Sequence, residues 1–454
     1  DATTLVVVSD LHLGDGDART ENWRAGHQAA WERLLRLAPE LAEGGPLDLV
    51  LNGDTFDLLQ AAPPLDARDD TDPVVGVAKL ERIIAAHPAW FAALRAFLAA
   101  PGRTATVTTG NHDVELAFAP VRSLVRRAIG ARVGAVRFCR ARVYQPLPEV
   151  VIEHGCQTDP WNRIYDLWDA PDMARATTDD LEVDTPAAAD RAALPLPFGS
   201  CYQYQVYLPI QRRLPYFDSF LPSLPQAGVV AMVCLYAPDL VVEAVRRARR
   251  LFMRPENAPA AEFGPEVAGD PARLYEAVLP FVAALQADVW ERAGVTAGAG
   301  EMERMIAYVL GILAGLAEGE QAGLRAIFAI PGIQRAGMPL ADADAAQELF
   351  AASGAPAGMD ARRVGLIGHT HVEGAHALSG AAEGGERMLI NTGTWYTRLA
   401  LPRPEQVDER LAAWLRDPVG RTAPIAPATA FSYALVRGGL SSPACGELRR
   451  VAMD

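Results

Sequence analysis

The sequence has no excess of positive charge, since 42 Lys+Arg stand against 56 Asp+Glu, a formal net charge of −14. A general nucleic-acid coat needs a surplus of basic side chains to neutralise phosphates, so this class of protein is disfavoured. Charged residues are few, at 22%, and hydrophobic residues make up 50%, which excludes a disordered chain. The 454 residues allow two or three domains, or one large domain with an insertion.

Cysteine and long apolar runs are also scarce. The five cysteines are scattered and form no C-x-x-C pair. We therefore predict free thiols and a cytoplasmic location. The two uncharged stretches with the length of a membrane span, 192–211 and 219–238, are interrupted by prolines, so we expect buried or interfacial segments there.

Short apolar runs alternate with amphipathic stretches in the N-terminal third. TLVVVSD, LDLVLNGD and TATVTTGNHD are separated by apolar residues at helical spacing over 31–41 and 91–98. This alternation predicts a β-α-β-α-β unit. EVVIEHG continues it, and VGLIGHT, RMLINTGTW and FSYALVRG near the other end predict three further strands. The fold class is therefore α/β.

The middle of the chain has a different pattern. Between residues 160 and 359 strand-like runs are rare, and helical periodicity dominates in LVVEAVRRARRLF and EMERMIAYVLGILAGLA. We predict an α/β core formed by residues 1–159 and 360–454, with a mainly helical insertion, or cap, formed by residues 160–359.

Polar clusters follow the apolar runs of the predicted core. They are Asp10-Leu11-His12, Gly53-Asp54-Thr55-Phe56-Asp57, Gly110-Asn111-His112-Asp113, His154-Gly155 and Gly368-His369-Thr370-His371. Because the carboxyl ends of parallel strands meet at one crevice, these clusters are expected to lie together. Taken singly, each is also typical of a capped turn. Together they hold five of the eight histidines, and their oxygen and imidazole donors suit Mn, Zn, Fe, Co or Ni.

The order of these motifs resembles that of the calcineurin-like metallophosphoesterases, with the pattern D-x-H, G-D-x-x-D, G-N-H-D/E, H and G-H-x-H. The resemblance implies a four-layer α/β/β/α sandwich with two divalent metal ions. By position, it implies one metal held by Asp10, His12, Asp54 and His371, and a second held by Asp54, Asn111, His154 and His369. Two metals bridged by one carboxylate clamp a phosphoryl group and acidify a bridging water, the expected nucleophile.

The resemblance also gives roles to two residues that are not ligands. His112 would act as general acid toward the leaving oxygen, and Asp57 would orient it. For Asp57, a helix cap beside Asp54 is the alternative. The second and third motifs are most similar to bacterial phosphodiesterases, the DNA-repair nuclease branch and UDP-diacylglucosamine pyrophosphohydrolases, but Cys156 and His112 depart from the last group.

The insertion holds the sequence's indication of a substrate. Residues 192–259 contain seven Arg against four Asp+Glu, and four of these arginines, Arg246, Arg247, Arg249 and Arg250, follow an apolar run. A basic amphipathic helix suits an anionic amphiphile or a membrane surface, so we predict substrate binding there, with peripheral membrane contact as an open alternative. A solvated helix face and a nucleotide-like substrate are further alternatives.

Two functional hypotheses follow. The first is a metallophosphoesterase that hydrolyses phosphate esters or anhydrides, most simply a phosphodiesterase or pyrophosphohydrolase, with a nuclease or nucleotide phosphatase as the alternative. The second is a non-catalytic scaffold that binds protein or membrane. A scaffold is expected to lose ligands or the acting histidine, and every expected position is present. The pattern therefore favours the enzyme, with no obligatory nucleic-acid partner.

Overall fold

Two six-stranded sheets, both largely parallel, form the centre of the computed structural model. The structure describes residues 3–62, 70–159, 161–168, 173–183, 192–217, 219–221, 224–252, 269–292, 299–330, 363–378, 387–439 and 442–453. The strands are β1 (Thr3–Val8), β2 (Leu47–Asn52), β3 (Asp70–Thr71), β4 (Arg103–Thr108), β5 (Val136–Phe138), β6 (Val143–Leu147), β7 (Val150–Ile152), β8 (Arg175–Thr177), β9 (Leu194–Pro195), β10 (Phe220–Leu221), β11 (Arg363–Ile367), β12 (Gly374–Leu378), β13 (Arg387–Asn391), β14 (Leu399–Ala400), β15 (Ser432–Gly439) and β16 (Ser442–Arg450). The first sheet has the order β16-β15-β1-β2-β4-β5, and the second has the order β12-β13-β11-β7-β6-β8.

Helices flank the first sheet and form most of the middle of the chain. They are α1 (Ala25–Leu41), α2 (Pro73–Ala86), α3 (Pro88–Leu98), α4 (Ala119–Ile129), α5 (Phe198–Tyr202), α6 (Leu208–Arg213), α7 (Gln226–Tyr236), α8 (Pro238–Phe252), α9 (Pro271–Arg292), α10 (Ala299–Glu318), α11 (Glu320–Phe328) and α12 (Glu409–Arg416). A π-helical turn, Gln203–Tyr207, joins α5 to α6.

The predicted strands are confirmed at each of the apolar runs. β1 pairs in parallel with β2, and β2 with β4, while β7, β11 and β13 form the parallel part of the second sheet. β2 is buried along its whole length. A strand that is covered on both faces needs apolar side chains on both, which is why its sequence is a nearly continuous hydrophobic run.

The two faces of the first sheet pack against different layers. Val6 and Val8 of β1 belong to one apolar cluster with residues of α1, α2, α3 and α4. Leu5 and Val7 point the other way and join a second cluster with Ile152 and Leu366 of the second sheet. Side chains alternate across a strand, so one strand can serve both layers. The protein is therefore a mixed α/β structure in which the two sheets pack face to face.

The helical middle of the chain has an apolar cluster of its own, built on α6 to α11. Several elements lie across the division that the sequence predicts, and β8 and α12 are two examples. β8 comes from the predicted insertion but pairs with β6, and α12 comes from the predicted core but packs into the helical cluster through Leu411 and Leu415. Sequence periodicity identifies an element but not the layer against which it packs, so a boundary placed by composition misses both.

The structure also shows the state of the cysteines and the packing of an uncharged stretch. None of the five cysteines, all of them in the described part of the chain, forms a disulfide, and four of them are buried. Over the part of the chain that the structure describes, no helix combines the length and the apolar character needed to cross a bilayer. α7, which lies in the second uncharged stretch, is buried along most of its length.

Three tryptophan side chains pack together in the apolar cluster that contains Val6 and Val8 of β1. Trp31 is fully buried, and its ring stacks on Trp90 at a centroid distance of 5.2 Å and meets Trp395 edge to face at 6.2 Å. We expect Trp31→Ala to lower the free energy of unfolding by about 3–5 kcal/mol, because a large cavity replaces the ring. Urea denaturation would measure this. Val133→Ala, at a side chain that is 87% exposed, is the control and should change stability by less than about 0.5 kcal/mol. A Trp31→Ala variant as stable as this control would contradict the packing argument.

Candidate metal centre

The polar clusters converge where strands of both sheets end. Asp10 and His12 follow β1, Asp54 and Asp57 follow β2, Asn111 and His112 follow β4, His154 follows β7, and His369 and His371 follow β11. Among the described residues other than glycine, seven have a positive φ, and five of these seven are Asp10, His12, Asp54, His369 and His371. This backbone conformation is costly for side chains with a Cβ atom, and such strain is typical of functional sites.

The first triad consists of Asp10, His12 and His371, whose ligand atoms lie within 4.8 Å of one another. Nε2 of His371 lies 3.1 Å from Oδ1 of Asp10 and 3.1 Å from Nε2 of His12. Burial raises the pKa of Asp10, but the hydrogen bond from His371 and the charges of His154 and His371 together outweigh it and lower this pKa to about 2. Asp10 is therefore an ionised carboxylate with two imidazole nitrogens beside it.

The second triad consists of Asp54, His154 and His369, whose ligand atoms also lie within 4.8 Å of one another. Nε2 of His154 lies 3.2 Å from Oδ2 of Asp54 and 3.3 Å from Oδ1 of Asn111. Nδ1 of His154 donates to the backbone carbonyl of Asn52 at 3.0 Å. A carbonyl oxygen can only accept, so this bond fixes the proton on Nδ1 and leaves Nε2 as the nitrogen that can bind a metal.

Asp54 links the two triads. Its Oδ2 is 4.0 Å from Nε2 of His12 in the first triad, while its Oδ1 accepts from the backbone N–H of His112 at 2.8 Å. Burial raises the pKa of Asp54, but the surrounding imidazoles, His154 foremost, hold it well below its usual range. Gly110 packs directly on the Asp54 carboxylate and Gly368 on that of Asp10, so neither position has room for a Cβ atom.

His112 and Asp57 form a pair beside these triads. Nδ1 of His112 donates to Oδ1 of Asp57 at 3.0 Å, and the other carboxylate oxygen of Asp57 is 3.4 Å from Nδ1 of His12. Burial lowers the pKa of His112, but the carboxylates of Asp57 and Asp54 outweigh it and raise this pKa to about 9. His112 also lines the pocket above the triads, so its ring faces the space that a substrate would enter.

Sequence reasoning missed two charged residues that contact the candidate ligands. Oδ2 of Asp159 accepts from Nε2 of His369 at 3.0 Å and from the side-chain amide of Asn162 at 2.6 Å. Arg398 donates from one guanidinium nitrogen to Nδ1 of His371 at 2.9 Å. Asp159 lies in the loop after β7 and Arg398 just before β14, and neither belongs to a motif with a fixed spacing. The sequence signal that could have identified Asp159 is its position in a polar loop, five residues after His154.

The pocket over the metal centre has a volume of about 1150 Å³. One wall is formed by candidate ligands and His112, and the opposite wall by side chains from the helical segment, including Trp161, Tyr202, Tyr207 and Gln226. The structure thus brings together every residue that the sequence predicts to bind metal, along with His112 and Asp57.

The four arginines of α8 are not brought to this pocket, since its described lining includes none of Arg246, Arg247, Arg249 and Arg250. α8 buries Val241, Val245 and Ala248 in the helical cluster, which turns the arginines outward. Arg247 binds Glu243 and the backbone of Gln205, and Arg250 binds the Gln205 side chain at 3.0 Å. These arginines lie on the outer face of α8, opposite its buried apolar face, and they do not form part of the pocket wall.

Comparisons with known proteins add no relative to this description. No protein-family model matches the chain, and no curated protein is significantly similar to it in sequence.

Asp159 provides a test of the second triad that does not depend on activity. A carboxylate on the outer nitrogen of an imidazole orients the ring and makes the other nitrogen a better metal ligand. We therefore expect Asp159→Asn to weaken Mn²⁺ binding by about 10- to 100-fold, measured by calorimetric titration of the metal-free protein. Asp180→Asn is the matched control, because Asp180 is exposed and bonds to Thr177 in its own turn. Equal Mn²⁺ affinity in both variants would show that Asp159 does not orient His369.

Proposed function

We propose that the protein is a metal-dependent hydrolase of phosphate esters or anhydrides, of the calcineurin-like metallophosphoesterase type, acting as a phosphodiesterase or pyrophosphohydrolase. The observation that carries the proposal is the set of five strained backbone positions, each bearing a carboxylate or an imidazole, at one edge of two sheets. The proposal includes the four-layer α/β/β/α sandwich of that family. The layers that support it are the helices α1 to α4 and the two facing sheets.

The chemistry of the donors fits two divalent metal ions. Asp10 and Asp54 are buried carboxylates, and the imidazoles of His12, His154 and His371 turn Nε2 toward them. Nε2 of His12 and Nε2 of His371 lie at a hydrogen-bond distance of 3.1 Å, and a metal ion bound by both nitrogens would replace the proton between them. Oxygen and imidazole donors without thiolates suit Mn, Zn, Fe, Co or Ni.

Each metal would be held by four side chains. Asp10, His12, Asp54 and His371 would hold the first, and Asp54, Asn111, His154 and His369 the second, with Asp54 shared. When bound, such a pair of ions polarises a phosphoryl group and acidifies a water molecule. The protein's own contribution is to hold these donors rigidly. The Asn52 carbonyl fixes the tautomer of His154, and Asp159 orients His369.

His112 is the proton donor of this proposal. Its Nδ1 is bound to Asp57, so Nε2 is the nitrogen that can donate into the pocket. The Asp57 carboxylate stabilises the protonated ring, which keeps a proton available for the leaving oxygen. A scaffold protein has no need for a partly buried His–Asp pair at 3.0 Å beside a polar pocket, so this pair favours the enzyme over the scaffold.

Replacement of Asp54 tests the shared ligand. We expect Asp54→Ala to lower bound metal from about two ions per chain toward one or none and to abolish phosphodiester hydrolysis, since both ions lose a ligand. Metal analysis of the purified variant would measure this. Glu43→Ala is the control, because Glu43 also has a positive φ, at 50°, but precedes β2 at the opposite end of the strand. Two ions retained after Asp54→Ala would refute the shared-ligand assignment.

Replacement of His112 separates metal binding from proton transfer. His112→Ala should retain its metals and lose about 10²- to 10⁴-fold in kcat, the usual contribution of a positioned acid. The loss should be smaller for p-nitrophenyl esters than for alkyl esters, because a good leaving group needs little protonation. His376→Ala, at an exposed histidine of β12, is the control and should leave kcat unchanged. Equal losses on both kinds of ester would contradict the role as general acid.

A further inference from the structure

An apolar cavity lies among α7, α8, α9 and the π-helical turn, next to the pocket of the metal centre. It is open to solvent on one side, the space within it and its mouth amounts to about 540 Å³, and 12 of its 15 lining residues carry aliphatic side chains or, at Phe281, a phenyl ring. A site of this kind offers water few hydrogen-bond partners, whereas it accommodates apolar ligands. The cavity is therefore suited to hydrocarbon and not to a second polar group.

The polar side chains of the cavity are confined to the wall that faces the metal centre. Its three polar lining residues are Tyr202, Tyr207 and Gln226, and the same three line the pocket of the metal centre. The rings of Tyr202 and Tyr207 lie 5.0 Å apart, and the Tyr202 hydroxyl hydrogen-bonds with the Gln226 side chain. These three side chains are thus a common wall between a polar space and an apolar one.

We propose that this cavity binds the hydrocarbon chain of an amphiphilic phosphate ester whose phosphate group lies at the metal centre. This inference rests on the proposed function for the position of the phosphate. Its position next to the metal centre argues for such an occupant, because a molecule that passes the common wall and reaches both spaces must be polar at one end and apolar at the other. Hydrocarbon also matches the lining, in which Val233, Val241 and Val245 are buried.

The inference also gives the arginines of α8 a different relation to the substrate. Val241, Val245 and Ala248 on the buried side of α8 line the cavity, whereas Arg246 and Arg249 lie on the exposed side. The helix therefore contributes to substrate binding through its apolar face. If the basic face of α8 bound the headgroup, Arg246 and Arg249 would lie on the side of the helix where Val241 and Val245 lie.

A chain-length series tests the inference without requiring hydrolysis. Alkylphosphonates from methyl to decyl cannot be hydrolysed at their C–P bond, and calorimetry on the metal-loaded protein gives their affinities. Affinity should rise about 2- to 4-fold with each methylene that enters the cavity and then stop rising when the cavity is full. An octylphosphonate that binds no more tightly than methylphosphonate would overturn the inference.

Two variants place the effect in the cavity. Val233→Thr keeps the volume but adds a hydroxyl to the lining, so it should reduce the gain per methylene. Ala248→Phe fills space, so it should end the rise at a shorter chain. Both should bind methylphosphonate as the wild type does, which also shows that they are folded. Val74→Thr, at a side chain that is 78% exposed on α2, is the matched control and should keep the full gain. If both cavity variants showed the same rise in affinity per methylene as the wild type, the assignment of the alkyl chain to the cavity would be overturned.

The same series separates this inference from the proposed function. p-Nitrophenyl alkyl phosphates with the same chains report hydrolysis. Chain-dependent phosphonate binding without hydrolysis of any diester supports the cavity and refutes the hydrolase. Hydrolysis with kcat/KM independent of chain length supports the hydrolase and overturns the cavity's role.

Discussion

Two carboxylates, Asp10 and Asp54, are buried at the ends of adjacent parallel strands, and the surrounding loops are arranged to make this burial tolerable. An ionised carboxylate in a protein interior is costly unless cationic groups and hydrogen-bond donors surround it. Asp10 accepts from the backbone N–H of His369 at 3.0 Å, and Asp54 accepts from that of His112 at 2.8 Å. Asp10 thus anchors the loop after β11, in which His369 and His371 adopt a positive φ, and Asp54 anchors the loop after β4.

The contact between the two sheets sets where these loops meet. The Ser9 and Thr392 hydroxyls, from loops of different sheets, form a hydrogen bond of 2.7 Å. The backbone N–H of Trp395 donates to the backbone carbonyl of Asp10 at 3.0 Å. Because Trp395 also packs on Trp31, the aromatic core under β1 and the loop that bears Asp10 form one continuous structure. The positions of the candidate ligands thus depend on packing well outside the site.

Most of the core and the whole set of candidate ligands could be predicted from the sequence, because both leave local signals. A buried parallel strand such as β2 is a hydrophobic run, and a polar cluster after it is visible as a motif. Asp159 and Arg398 leave no such signal, since each contacts its histidine only through the folded path of a loop. The orientation of α8 could not be predicted either. Its sequence has a basic face and an apolar face, and only the position of neighbouring helices decides which one faces the substrate.

The division between core and helical segment has a consequence for specificity. The groups assigned to the chemistry come from loops of the two sheets, whereas Trp161, Tyr202 and Gln226 form the opposite wall of the pocket. The helical wall is joined to the ligand loop, because the Ser200 hydroxyl donates to the carbonyl of Asn111 at 3.2 Å. A change in the pocket-facing side chains of the helical segment can alter which ester is held, because the five strained positions that bear candidate ligands lie in loops of the two sheets. On the proposed function, substrate choice and hydrolysis are encoded in separate parts of the chain that meet at this one wall.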